Sequence, residues 1–334
     1  MIKWLEECTI NDVPLVGGKS ASLGELSKAG KQVPPGFSIT VNAYRAFADT
    51  SGVNQKLNEL LKQGLSGMDE AGFEHIKEFL DSYILNARLP LQVEAAVRDA
   101  YQQLGLRVGG TPLVAVRSSA TMEDSSATSF AGQHETFLNV SGVEDVLEKT
   151  LKCWASLFSV HALHYRSSKE ISMDQEAMAV VVQKMVNSKA SGVAFTVDPV
   201  SGDRSKVVID AAWGLGEGIV GGFVTPDHFV VDKATLEIRE RWISPKMTEF
   251  IRHPETGETV QQEVATARQT ASSLTNMEIK AVAQAAISIE QHYGKPQDIE
   301  WGIDKDLPFP KNLLILQSRP VTVWGSPSGQ VKNA

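Results

Sequence analysis

The chain has 334 residues, about two domains' worth, and its 42% hydrophobic and 22% charged content is that of a globular protein able to bury a sizeable core. Forty acidic residues against 32 basic ones give a formal charge of −8, and no segment concentrates Lys and Arg as a binder of duplex phosphates would, so nucleic acid is excluded as a partner class. The 26 Gly and 14 Pro carry no period, which removes collagen-like, repeat and low-complexity readings.

The first residues, Met1-Ile-Lys-Trp-Leu-Glu-Glu, place acids where a signal peptide needs a basic end. The densest later apolar stretch, Ala177 to Val182, is far short of the ~20 residues of a membrane span. A soluble, cytoplasmic protein without membrane contact is therefore expected. Cys8 and Cys153 cannot build a disulfide framework or a CxxC metal site and read as packing residues.

Along the chain, residues 20 to 29 and roughly 43 to 104 read as helical. In the longer stretch Phe47, Leu57, Leu60, Leu61, Ile76, Phe79, Leu80, Ile84, Val93, Val97 and Leu104 recur at three- and four-residue spacing among polar residues, with breaks at Gly64 to Gly67 and Leu89-Pro90. From Leu113 the texture changes to β-branched runs read as strands: Leu113–Val116, Thr136–Val140, Ala179–Val182, Val193–Val197, Val207–Ile209 and Phe229–Val231. A helix over Val143–Ser168 and another over Asn276–Tyr293 are expected, the latter before two last strands, Asp298–Ile303 and Leu313–Val323. The order is mixed α+β in two lobes rather than strict strand-helix alternation.

Three segments could carry chemistry. Gly17-Gly18-Lys19-Ser20 precedes a helix, whose free N–H groups and positive dipole end suit an anion. It is not a P-loop, since Val13 stands where the first Gly is needed, and alone Lys19 fits a solvated lysine equally well. Next, Arg117 ends a strand ahead of a hydroxyl-rich loop that includes Ser118, Ser119, Ser125, Ser126, Ser129 and Gly132. A flap over phosphates above a bidentate Arg fits, as does an Arg paired with Glu123 or Asp124. Finally, Asp298-Ile-Glu300 and Gln317-Ser-Arg319 each place two polar side chains on one face of a strand. If a loop at Pro308 and Pro310 closes these strands into a hairpin, two carboxylates, an amide oxygen and a guanidinium converge. Such oxygens suit magnesium with substrate phosphates; an exposed salt-bridged hairpin is the alternative.

Gly216-Glu-Gly-Ile-Val-Gly221 matches GxGxxG, but five glycines in Trp213–Gly222 make chance matches easy, and no second strand ends near Glu237. The histidines show no zinc spacing, and His161 and His164 read as core or partly buried side chains on a helix.

Read together, these segments resemble the ATP-binding domain of the phosphoenolpyruvate synthase and pyruvate phosphate dikinase family, which includes rifampicin phosphotransferase and phenylphosphate synthase. The resemblance runs from Leu15 to Val323 and rests on Val16-Gly-Gly-Lys-Ser-Ala-Ser-Leu-Gly-Glu-Leu, Val33-Pro-Pro-Gly-Phe, Val116-Arg-Ser-Ser-Ala-Thr-Met-Glu-Asp and Ser129-Phe-Ala-Gly-Gln-His-Glu-Thr. Ser191-Gly-Val-Ala-Phe-Thr-Val-Asp-Pro, Trp213-Gly-Leu-Gly-Glu, Asp298-Ile-Glu-Trp and Leu316-Gln-Ser-Arg-Pro complete it.

The resemblance implies an ATP-grasp fold: an N-terminal lobe over residues 1–186 with the phosphate flap, a C-terminal lobe over 187–324 with the metal and phosphate hairpin, and a linker-like tail, 325–334. It implies that Lys19 and Arg117 hold the polyphosphate of ATP, that Gly132, Gln133 and Thr136 belong to the flap, and that Gln183, Met185 and Val186 flank adenine. Glu217 would lie near the ribose, Glu300 and Gln317 would ligate Mg²⁺ with Asp298 in support, and Arg319, with Arg117, would stabilise the transferring phosphates. The family passes phosphate through a histidine in a Gly-Gly-x-x-x-His motif, and here Gly221-Gly222 followed by His228 has the wrong spacing. The leading expectation is an ATP-binding phosphotransferase subunit that phosphorylates a histidine on a partner subunit, giving AMP and phosphate overall, the partner then phosphorylating a small molecule such as a phenol. The alternatives are a truncated ATP-binding domain of a single-chain phosphoenolpyruvate synthase or rifampicin phosphotransferase, and a non-catalytic ATP-sensing module.

Overall fold

Alternation of buried and exposed residues builds two larger antiparallel sheets in the computed structural model, which describes residues 1–62, 69–121, 135–169 and 177–321. The chain divides into two units, Met1–Glu25 with Pro35–Met185, and Leu26–Pro34 with Val186–Ala334.

The first unit holds β1 (Ile2–Trp4), most of α1 (Val13–Lys28), β2 (Gly36–Ile39), α2 (Val41–Ser51), α3 (Val53–Lys62), α4 (Glu70–Leu85), α5 (Leu91–Val108), β3 (Leu113–Ala120), β4 (Thr136–Ser141), α6 (Val143–Ala155), α7 (Val160–Lys169) and β5 (Met178–Lys184). Its sheet runs β1-β2-β5-β3-β4. Most of the expected helical stripe packs: Phe47, Leu57, Ile76, Leu80, Ile84, Val93, Val97 and Leu104 are buried in one core with Phe37, Val116 and Trp154, and Leu60 is partly buried against it, whereas Phe79 is exposed and stacks on Tyr83. Trp154 stacks on Phe47 at 5.0 Å, and its indole N–H donates to the Met178 carbonyl at 3.2 Å. Cys8 and Cys153 are fully buried, and burial pushes the Cys153 thiol up, as packing residues require.

The structure departs from the sequence expectation here in three places. The strand expected to stop at Val116 continues to Ala120, because Arg117 to Ala120 pair with Met178 to Val181 and the Ser119 hydroxyl donates to the Val16 carbonyl. The long helix expected over Val143–Ser168 is broken by a 3₁₀ turn at Ser156–Phe158. His161 and His164 are exposed rather than core residues, since Ala162 and Leu163 fill the buried side of α7.

The second unit contains β6 (Ser188–Phe195), β7 (Lys206–Trp213), α8 (Glu217–Val220), β8 (Asp227–Asp232), β9 (Ile238–Trp242), β10 (Thr248–Arg252), β11 (Thr259–Glu263), α9 (Thr266–Gln269), α10 (Asn276–Tyr293), β12 (Gln297–Asp304) and β13 (Leu313–Pro320). The six-stranded sheet has the order β13-β12-β6-β7-β8-β9, with β10 and β11 a separate hairpin. One face is covered by α10, whose Ile279, Val282, Ala286 and Ile289 meet Ile209, Phe229, Ile299 and Trp301. Trp301 lies over Gly192, where a Cβ would come within 2.8 Å of the indole and 1.9 Å of the Asp210 carbonyl, so that close approach needs glycine. Because β7 and β8 are antiparallel and only the four-residue α8 lies between them, the GxGxxG match is not the strand-helix-parallel-strand unit of a dinucleotide site. β9 to β11 carry no apolar alternation in the sequence: β9 and β11 are short and mostly exposed, and the one buried residue of β10 is the charged Glu249. Among the described residues, no helix is long and apolar enough to cross a membrane.

Two polar devices fix this unit. Asp227, fully buried, accepts from Lys246 Nζ at 2.5 Å and the Ser244 N–H at 3.1 Å on one oxygen, and from the N–H and hydroxyl of Ser273 at 2.7 Å on the other. At the start of α10, Thr275 and Glu278 form a reciprocal capping box, and Lys189 Nζ reaches Glu278 at 2.5 Å. Burial pushes the Glu278 carboxyl up, but Lys189 and the Thr275 donors outweigh it and hold it below the ordinary range.

Lys246→Met strands the buried Asp227 carboxylate and should lower the free energy of unfolding by about 3 kcal/mol, read from urea titrations. Since Glu278 titrates below its unfolded value, its contribution is complete above the ordinary glutamate pKa of about 4.3 and is lost as pH falls through the depressed folded value. Glu278→Gln should therefore cost about 1–2 kcal/mol at pH 7 and progressively less as the solution is acidified, measured by denaturant midpoints across that pH range.

Candidate functional site

In β12, Ile299 and Trp301 enter the core beneath α10, so Asp298 and Glu300 project from the opposite face. The hairpin to β13 forms as expected, with Asp298 directly opposite Arg319 and Glu300 directly opposite Gln317. Its loop, which contains Pro308 and Pro310, is tied down by Asn187 Nδ2 on the Asp306 carboxylate at 3.1 and 3.2 Å. The pairing jumps from Glu300–Gln317 to Trp301–Ile315, leaving Leu316 as an extra, bulged residue. Ile315 and Gln317 are two apart and would share a face in a regular strand; the bulge sends Ile315 into the core and Gln317 and Arg319 to the side of Asp298 and Glu300.

The guanidinium of Arg319 donates through Nε and Nη2 to Asp298 Oδ2, both at 2.8 Å. The Asp298 side chain is 12% exposed and that of Arg319 58%, so the carboxylate lies under an outward-facing cation. Burial pushes the Asp298 carboxyl up and Glu300 adds to the push, while Arg319 pulls it partly back. Among the described residues, buried Asp298 Oδ1 has no hydrogen-bond partner. Among the described residues no group of three or more His, Cys, Asp and Glu side chains could hold a metal by itself. The donor set of Glu300, Gln317 and Asp298 fits instead the magnesium pattern of one or two protein oxygens completed by substrate phosphates and water.

The same face continues over β6. Gly192 faces Trp301, so Ser191 and Val193 point the other way, and Ser191 Oγ donates to the Gly214 carbonyl at 2.7 Å. That bond lays the Trp213-Gly-Leu-Gly-Glu segment on the face that carries Glu300, with exposed Glu217 opening α8. Gly214 has φ +75°, and a Cβ there would lie 2.2 Å from the Phe250 carbonyl, which accepts from the Leu215 N–H at 2.8 Å. Arg268 braces the segment: it grips buried Glu249 through two bonds of 3.0 and 2.9 Å, stacks over Trp213 at 4.4 Å, and its carbonyl accepts the Trp213 indole N–H at 3.0 Å. The aromatic-glycine run signalled this loop, but its support from β10 and α9 left no trace in spacing.

In the first unit, Gly17 interrupts α1 with φ 72° and ψ 170°, and a Cβ there would lie 2.1 Å from the Ser119 carbonyl. Lys19 therefore sits in the turn that restarts the helix rather than ahead of it. Ser119 is two residues along β3 from Arg117, and its Oγ accepts from the Ser20 N–H at 3.4 Å, so the Gly17–Ser20 turn docks on the strand face that carries Arg117. Arg117, half-buried, pairs in register with Thr136 and Val181. Gln183 is buried within β5 opposite Gly36 and Ala115 rather than beyond the strand, and the Met185 N–H donates to the Leu113 carbonyl at 2.8 Å. Met185 closes this unit and Val186 opens the next. Gly132 and Gln133 lie outside the described residues, as do Glu123, Asp124, Ser125, Ser126 and Ser129.

Comparison with known proteins agrees with these motifs. Residues 13–334 match the family model described as pyruvate phosphate dikinase, AMP/ATP-binding domain. The phosphoenolpyruvate synthase of Aeropyrum pernix is 45% identical over 97% of this chain and 42% of its own length. That of Pyrococcus furiosus is 41% identical over 96% of this chain and 44% of its own length. A probable phosphoenolpyruvate synthase of Methanocaldococcus jannaschii is 42% identical over 96% of this chain and 26% of its own length. The chain thus spans less than half the length of these relatives. With the ordered motifs and the matched length together, the chain belongs to the pyruvate phosphate dikinase AMP/ATP-binding domain family.

Proposed function

We propose that this chain is the ATP-binding part of a phosphoenolpyruvate synthase-type phosphotransferase with the ATP-grasp arrangement implied by the motifs. It would transfer phosphate from ATP to a histidine borne elsewhere in the machinery, with AMP and phosphate as overall products. The observation that carries this reading is the hairpin: Asp298 paired with Arg319 beside Glu300 paired with Gln317, on one face, with a buried carboxylate oxygen left without a partner. A structural salt bridge explains Arg319 and Asp298; it does not explain a second pair of oxygen ligands beside them or the orphaned oxygen.

In this reading Glu300 and Gln317 hold Mg²⁺ with Asp298 in support, and the metal, when bound, neutralises charge on the polyphosphate. Arg319 meets the phosphoryl oxygens where negative charge is spread during transfer, already oriented by Asp298. Lys19 and Arg117 are proposed as polyphosphate ligands, Thr136 as part of the flap, Glu217 as a ribose contact, and Gln183, Met185 and Val186 as the adenine flank. Nothing in this assignment asks the chain to form a covalent bond; its contribution is positioning and charge neutralisation. The relatives carry this region within chains more than twice as long, which favours a histidine domain in the same polypeptide over the separate-subunit, phenol-directed arrangement.

Calorimetric titration with ATP in the presence and absence of Mg²⁺ tests this reading. Wild type should bind with a strict magnesium requirement, and Glu300→Ala should abolish that requirement along with most of the affinity. Arg319→Ala should weaken binding about 10- to 100-fold, the loss of one charged bidentate contact, and, with the histidine-bearing part supplied, abolish phosphohistidine formation. Both variants should keep the wild-type unfolding midpoint to within a few degrees. Full phosphotransfer in both would refute the assignment.

A further inference from the structure

The row of residues through Glu300 does not end at β6. Across the sheet the register runs Gln317, Glu300, Val193, Asp210, His228, Trp242, and paired residues share a face. His228 Nδ1 lies 2.8 Å from Asp210 Oδ1, with side-chain exposures of 43% and 27%. An imidazole whose Nδ1 proton is held by a carboxylate presents the Nε2 lone pair on its far side, the arrangement of a general base with its orienting acid. The other described imidazoles of this unit are placed differently. His253 Nδ1 accepts the N–H groups of Glu255 and Thr256 within its own turn, and His292 belongs to α10, which covers the opposite face.

We infer that His228, oriented by Asp210, is the general base that activates water for cleavage of the terminal phosphoryl group, a role that rests on the reading of the hairpin as the ATP site. Conversion of ATP to AMP, one phosphorylated acceptor and free phosphate consumes one water, so one phosphoanhydride is hydrolysed and that water needs a proton acceptor. Three strand spacings of ~4.8 Å put His228 roughly 14 Å along the sheet from Glu300. Less the reach of the two side chains, that leaves room for a polyphosphate tail and one water over Val193, whose apolar side chain competes for neither. In the step, the water oxygen attacks the terminal phosphorus and its proton passes to His228 Nε2. The new P–O bond forms as the bridging P–O bond breaks, and the bridging oxygen keeps the electron pair. His228 then releases the proton to solvent. His228 is the catalytic group and Asp210 the positioning one.

The test uses the full chain labelled with ¹⁵N-histidine. Calorimetry with MgATP comes first: if wild type does not bind, the ATP-site reading itself fails and takes this inference with it. Given binding, the His228 ring should show the Nδ1–H tautomer, lost in Asp210→Asn, and should shift on addition of Mg²⁺ with β,γ-methylene-ATP but not of Mg²⁺ with AMP. With the histidine-bearing part supplied, phosphate release from MgATP should fall at least 100-fold in His228→Gln, with ATP affinity changed less than threefold and an unchanged unfolding midpoint. A His228 ring unmoved by the bound analogue, phosphate release unaffected in His228→Gln, or a wild type that binds MgATP and, with the histidine-bearing part supplied, releases no phosphate would each overturn the inference while leaving the ATP site intact.

Discussion

One inserted residue governs the candidate site. Leu313 and Ile315 must face α10, because that half of β13 completes the core of the second unit, while Gln317 and Arg319 must face away from it. In a regular strand all four have the same parity, and a register that buried Ile315 would drive the Arg319 guanidinium into apolar packing, at a cost of several kcal/mol. The bulge at Leu316 removes that conflict. The Ile315 N–H is also held by the Gln32 carbonyl at 2.8 Å, from the segment that joins this unit early in the chain. Packing below the sheet and charge above it therefore select the same register, which is a stronger constraint than either alone.

What the sequence makes legible follows from its periodicities. The apolar stripe of Phe47, Leu57, Ile76, Leu80, Val93 and Val97 becomes the core it predicts, α10 runs from Asn276 to Tyr293, and β12 and β13 pair around their proline loop. Two-residue spacing correctly places Asp298 with Glu300, and Gln317 with Arg319, because alternation within a strand is a local property. That the two pairs face each other depends on the bulge, and nothing in Leu-Leu-Ile-Leu-Gln-Ser-Arg marks Leu316 as the odd one of four consecutive apolar residues.

The unread parts are those whose stability comes from contacts distant in sequence. Ser118 and Ser119 look like loop residues, yet they extend β3, since Val180 and Ala179 of β5 pair with them and the Val16 carbonyl accepts from the Ser119 hydroxyl. Arg268 and Glu249 stand nineteen residues apart and show no motif, yet they brace Trp213 and the glycine segment behind it. Asp210 and His228 likewise meet only because β7 and β8 pair in one register. Cross-strand chemistry of this kind is fixed by sheet order, and sheet order is what periodicity leaves open.

The charges on the outer face of the second sheet form a pattern that packing does not demand. Asp298, Glu300 and Asp210 place three carboxylates on that face, and of the basic groups found beside them Arg319 is engaged by Asp298 and His228 by Asp210. A buried carboxyl with one oxygen unsatisfied costs about 1–3 kcal/mol relative to an apolar replacement of the same shape. If this face binds the polyphosphate as proposed, a divalent cation interposed between phosphates and carboxylates would offset their repulsion. In the proposed reading the hairpin would thus discriminate by charge: magnesium-loaded nucleotide would be drawn to Glu300 and Gln317, free nucleotide would be turned away, and Arg319, held at its guanidinium by Asp298, would be in place when the phosphates arrive.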